Sequence, residues 1–135
     1  MKIPTSVQMG CGVVLILAFL WCWYMVAADY SYRAVSGTYI FHGDGESSTL
    51  VLRQDQSFQQ DLNRDGRIEH VRGTWRRIGE GGVVFSREFL KVKGQEVRSD
   101  GQADGEIEKR FAGFIPSIRF EPQFSGPTFN RRLFR

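Results

Sequence analysis

The chain has 135 residues, with 18 basic and 15 acidic side chains and a formal net charge of +3. About 100 residues follow an N-terminal apolar run, enough for one modest domain and not for two. The charge excess is small and its arginines are scattered, which argues against nucleic acid as a partner; only the tail, Arg131, Arg132 and Arg135, gathers basic residues.

From Val7 to Ala28 there is no charged side chain. As a helix this stretch rises roughly 33 Å, enough to cross a hydrocarbon core of about 30 Å. Two readings compete for it. A signal peptide would end at the small residues Ala27 and Ala28, before Asp29. A signal anchor fits the length of the run, which exceeds that of a usual signal core of about 7–15 residues. It also fits Trp21, Trp23 and Tyr24 near the C-terminal end of the run, because amphipathic rings gather at membrane interfaces. We read the segment as an uncleaved anchor. Lys2 and the amino terminus lie on one side, and Arg33, opposed by Asp29, on the other. The positive-inside rule then places residues 1–6 in the cytoplasm and the remainder outside the inner (plasma) membrane. Both cysteines, Cys11 and Cys22, lie in the run, about three helical turns apart and too distant to bond within one helix. The rest of the chain offers neither a disulfide framework nor a thiolate metal site.

Residues 29–35 read as a linker and 36–135 as a small all-β domain. Ser36–His42, Ser48–Arg53, Ser57–Leu62 and Arg67–Ile78 alternate apolar and polar residues and are separated by turn signals, of which Asn63-Arg-Asp-Gly66 is the strongest. Val83–Phe85 and Phe89–Lys93 extend the series. Arg98–Gly105 reads as a polar loop, and Glu108–Phe114, Ser117–Phe120 and Thr128–Phe134 complete it. Pro116, Pro122 and Pro127 predict that these last strands are short, irregular or at an edge. No helical stripe follows Ala28. The expected architecture is an antiparallel meander or small up-and-down barrel of seven to eight strands, closed or folded to protect its edges.

Gly37-Thr-Tyr39 and Gly73-Thr-Trp75 echo each other, a glycine before an aromatic ring that packs over neighbouring backbone. Together with Leu50, Leu52 and Phe58, these motifs resemble those of bacterial lipocalin-like domains over residues 36–93. The resemblance implies a small barrel or half-barrel attached to the cell envelope. It departs from the lipocalin pattern in placing Tyr39, not a tryptophan, on the first strand, so no ligand-pocket residue is carried over.

Candidate chemistry is sparse. Asp61, Asn63, Asp65 and Glu69 match part of the oxygen-ligand spacing of a calcium loop. Arg72 stands where the bidentate glutamate of such a loop belongs, Arg64 and Arg67 add positive charge, and the same residues suit a plain hairpin tip; no metal and no cofactor is expected. His42 and His70 have no zinc-ligand spacing, and no catalytic motif is present, so no enzyme is expected. Phe111, Phe114, Phe120, Phe124, Phe129 and Phe134 crowd the C-terminal quarter. They read either as core or as an exposed aromatic surface for a protein partner or membrane interface. Mixed with arginine they resemble the composition of binding hot spots, and Phe124, Phe129, Arg131, Arg132, Phe134 and Arg135 are the partner-binding candidates. The expected role is a membrane-anchored, non-enzymatic binding or accessory protein that touches the bilayer and another envelope protein. The alternatives are a carrier of a small apolar ligand in a lipocalin-like barrel and a membrane-surface hydrolase.

Overall fold

The computed structural model describes residues 5–95, 100–111, 113–120 and 127–133, and the side chains from Gly10 onward within these. An N-terminal helix, α1 (Thr5–Ala27), is followed by a single helical turn, α2 (Tyr32–Val35). Eight strands follow: β1 (Gly37–Gly43), β2 (Glu46–Leu52), β3 (Ser57–Arg64), β4 (Arg67–Ile78), β5 (Gly82–Phe85), β6 (Ala103–Arg110), β7 (Ile115–Phe120) and β8 (Thr128–Arg131). Each pairs antiparallel with the next, and β8 returns to β1 through Tyr39↔Arg131 and Ile40↔Asn130, so the sheet is a closed up-and-down barrel. Closure removes the unpaired edges that a sheet of this size would otherwise expose.

Strand alternation sets the inside of the barrel. Tyr39, Phe41, Leu50, Leu52, Phe58 and Leu62 are buried, while Ile40, Val51, Gln59 and Asp61 alternate with them on the outward side. An eight-stranded barrel encloses a space just wide enough for side chains, and here aromatic rings fill it. Phe89 stands among Phe85, Phe120, Phe58 and Phe129, with ring centroids 4.6, 5.2, 5.9 and 6.2 Å away. Each such pair adds about 0.5–1.5 kcal/mol beyond its buried area. Tyr39 and Trp75 are also buried and place their polar ends on backbone carbonyls, Tyr39 Oη donating to Val35 O and Trp75 Nε1 to Arg53 O. At Gly73 the ring that packs over the backbone is not that of Trp75 in its own motif but Phe58 of β3: a Cβ there would lie 2.7 Å from it. The ring crosses the backbone of the paired strand because no side chain blocks it.

Three expectations are corrected. Phe89–Lys93 is not a strand. Phe85 pairs directly with Ala103, so the ladder closes without this segment and leaves it no partner. The segment instead crosses the barrel end with Phe89 and Val92 buried. The strand expected over Glu108–Phe114 begins earlier, at Ala103, and ends at Arg110. Its inward positions Ala103 and Gly105 are too small to register as an apolar alternation. They are small because Ile118 and Phe120 fill the space, and a Cβ on Gly105 would lie 2.8 Å from Ile118 Cγ2. Finally, residues 29–35 are no free linker: Ser31 caps α2 by accepting from Ala34 N, and Val35 is fully buried. Pro116 does sit within β7, but the pairing to β8 begins only at Ser117↔Asn130, so the missing N–H removes no bond of that ladder.

Candidate functional site

The barrel has two ends, and a different plug closes each. At the far end the Phe89–Lys93 stretch, between β5 and β6, lies across the opening, held by side chains in inward register. Gln60 is fully buried on β3; its Oε1 accepts from Leu90 N at 2.7 Å, and its Nε2 donates to Leu90 O at 3.0 Å and to Ser48 Oγ at 3.1 Å. Arg64 donates to Lys91 O at 2.9 Å and pairs with Glu46, whose other oxygen accepts from Lys93 N at 2.8 Å. The bond from Lys93 N does most to hold the Glu46 carboxyl below its usual range; burial opposes it, and the Arg64 guanidinium adds to the lowering.

At the other end, α2 closes the barrel and α1 docks on the rim. The last carbonyls of a helix have no partner within it. Lys109, at the end of β6, supplies one: its Nζ donates to Val26 O at 2.7 Å and also to Asp29 O. The same ammonium lies 4.4 Å from the centre of the Tyr30 ring. A cation at this position also meets the negative end of the helix dipole. Burial draws Lys109 below the usual lysine range, and Asp29 acts in the opposite direction. Hydrogen bonds from Ser31 hold the Asp29 carboxyl below its ordinary value, with smaller help from Lys109 and Arg77. Arg131 Nη1 and Nη2 donate to Ala34 O and Ser36 O at 2.9 and 2.8 Å and so satisfy the end of α2. Gly113, in the β6–β7 turn, touches α1 so closely that a Cβ there would lie 2.8 Å from that of Ala27. Its positive φ of 91° further favours glycine. Crevices of about 430 and 180 Å³ flank the docked helix end, one lined by Tyr24, Arg77 and Glu80 and the other by Val26, Lys109 and Phe114.

The residues singled out from sequence do not converge on one place. Trp21, Trp23 and Tyr24 are exposed on the last turns of α1. Phe129 is fully buried in the aromatic core and offers nothing to a partner, which corrects its place among the binding candidates. Arg131 is committed to α2, and Arg132 lies at the rim with its backbone N–H donated to Thr38 O. Phe124, Phe134 and Arg135 lie outside the described residues. On the β3–β4 hairpin, Asp61 pairs with His70 at 2.7 Å and shares the outer face with Asn63. Glu69 is opposite Leu62 in the register and therefore lies on the other face, while Asp65 is in the turn. Among the described residues no three His, Cys, Asp or Glu side chains gather to hold a metal ion. His42 and His70 are both exposed, on β1 and β4. Three strand spacings separate them, roughly 14 Å along the sheet.

Lys109 and Gln60 escaped the sequence reading. A signal for both was present: each occupies an inward register position on its strand, where a polar residue needs a partner. No protein-family model, no curated protein and no solved structure matches this chain. The findings therefore stand on the molecule itself: an eight-stranded antiparallel barrel preceded by an exposed apolar helix, Gly10–Ala27 of mean hydropathy 2.1, compatible with a signal anchor or a signal peptide.

Proposed function

We propose that this chain is a single-pass inner-membrane protein whose barrel faces away from the cytoplasm and serves as a non-enzymatic binding or accessory module for another envelope protein. The observation that carries the reading is the clamp at the helix-side rim. Lys109 and Gly113 engage Val26, Ala27 and Asp29, with the Tyr30 ring against the Lys109 ammonium, so that the end of the apolar helix is fastened to the barrel rim. A segment removed by a signal peptidase after Ala28 would take two of those three contact points with it. The aromatic belt at Trp21, Trp23 and Tyr24 supports the anchor, and the charge of Lys2 supports the stated orientation. The interior weighs against the carrier alternative, because the rings that would line a ligand chamber occupy it themselves. The separation of His42 from His70 weighs against a hydrolase. What remains for recognition is the outer wall.

The test is to extract the full-length protein from membranes, measure its intact mass, and identify by mass spectrometry whatever co-purifies in stoichiometric amount. An intact chain that resists alkaline carbonate and carries a protein partner supports the reading. A chain lacking its first 28 residues and carrying a small apolar molecule overturns it in favour of a secreted carrier.

A further inference from the structure

We infer that the helix-side end of the barrel rests on the lipid bilayer, with Phe111 and Phe114 of the β6–β7 turn inserted in its interfacial layer as a second membrane contact beside α1. This rests on the reading of α1 as an anchor. The two rings are 76 and 56% exposed, while the other described phenylalanines of the barrel are buried. Phe111 also holds a positive φ of 52°. A bulky side chain rarely adopts that conformation, and the turn keeps it while presenting the ring outward.

What covers these rings is fixed by the turn's position. Gly113, between them, is in contact with Ala27, the last residue of α1, and Phe114 lines the crevice beside Val26. An 18-residue span, Gly10–Ala27, rises about 27 Å, so its end lies near the boundary of a hydrocarbon core about 30 Å thick. The belt of Trp21, Trp23 and Tyr24 lies only about 6 Å further along the axis. Interfacial side chains occupy a layer about 5–10 Å deep at this boundary. The turn thus sits at the depth where membrane-bound aromatics are found, and the clamp by Lys109 holds it there.

The test uses the full chain with Cys11→Ser and Cys22→Ser, reconstituted in nanodiscs of zwitterionic and anionic phospholipid. Single cysteines are introduced as Phe111→Cys, Phe114→Cys and, at the opposite end of the barrel, Ile68→Cys. Each carries an environment-sensitive fluorophore. Labels at 111 and 114 are expected to shift to shorter wavelength and to be quenched by lipids spin-labelled near the headgroup, with neither effect at 68. Water-like emission at all three sites in protein that co-floats with lipid overturns the insertion and leaves the anchor standing. Failure to co-float overturns the anchor and the insertion together. A blue shift that depends on protein concentration and is insensitive to the spin-labelled lipid overturns it in favour of contact between copies. A change at 111 alone that accompanies a lowered melting temperature is checked by 114, whose backbone carries no positive φ.

Discussion

Replacing Gln60 with Leu keeps the approximate volume of the side chain and removes its three hydrogen bonds at the far end of the barrel. Leu90 N, Leu90 O and Ser48 Oγ then lose these partners next to an apolar core. A buried polar group left without a bond costs about 1–3 kcal/mol. Leu90 is half-buried, so water recovers part of that loss. A net cost of about 2–4 kcal/mol follows, against a total stability of about 5–15 kcal/mol for a domain. Each kcal/mol moves the melting temperature of a domain of about 100 residues by about 4–8 °C. Calorimetry of the full chain in detergent should therefore show a drop on the order of 10 °C or more. Amide exchange should rise first at Leu90 and Lys93, because the plug opens before the ladder does. Gln60→Glu adds a sign. Glutamate keeps the acceptor for Leu90 N but points a carboxylate at Leu90 O, so burial raises its pKa above the ordinary value of about 4.3. The folded state then prefers the protonated form. The variant should be most stable below pH about 4.3 and lose stability as pH rises through the elevated folded pKa. A cost below about 1 kcal/mol for Gln60→Leu, with exchange at Leu90 unchanged, would refute the idea that this side chain holds the plug.

Glu46 is the opposite case: the hydrogen bond from Lys93 and the Arg64 pair lower its folded pKa, so its stabilisation is present above the unfolded value of about 4.3 and is lost as pH falls through the lower folded one. In acid titrations, Glu46→Gln should be less stable at neutral pH and show a shallower fall in that acid range. Gly73→Ala should cost about 1–3 kcal/mol by overpacking, since the new Cβ would lie within 3 Å of the Phe58 ring and Ser86 Oγ. Gly66→Ala meets nothing within 4 Å and should cost only about 1 kcal/mol, from its positive φ of 79°; equal losses in chemical denaturation would contradict the packing argument. Lys109→Met should cost only about 1 kcal/mol of stability, yet broaden spin-label distances between α1 and the barrel. Calcium at millimolar concentration should leave the melting temperature unchanged, because Asp61 and Glu69 lie on opposite faces of their hairpin.

The barrel was legible where strands were long and their inward residues large. Arg67–Ile78 matches its expected bounds, and the first three strands shift by only a residue or two at their ends. Legibility failed where the inward residues were small, as at Ala103 and Gly105, or where an apolar segment alternated like a strand but had no free edge to join, as at Phe89–Lys93. Both failures share a cause. Alternation reports which side chains turn inward, but not whether the space inside is already taken by Ile118 and Phe120, nor whether the neighbouring ladder is complete. The C-terminal phenylalanines illustrate the same limit: composition groups them, but the barrel sends Phe120 and Phe129 inward and leaves Phe111 and Phe114 outside.

The register carries one pattern that unites both ends. Strand parity assigns Lys109, Arg131 and Arg77 to the inward set at the helix-side rim, and Glu46 and Arg64 to the inward set at the far rim. A charged residue in that register cannot enter the aromatic core without a large desolvation cost. It stays at the mouth of the barrel and meets whatever backbone lies across it. At the far end that backbone is the Phe89–Lys93 stretch between β5 and β6. At the helix-side end it is α2 and the last turn of α1, whose carbonyls Arg131 and Lys109 satisfy. The two ends are thus closed by the same device, and at the helix-side end the strap is α2, with the last turn of α1 fastened beside it. A barrel that existed only to hold a cargo would need one mouth that opens; here the helix-side mouth is closed by α2, with the end of α1 fastened beside it. If α1 spans a bilayer as proposed, the rim cations that fasten its last turn would set the height and tilt of the barrel above it.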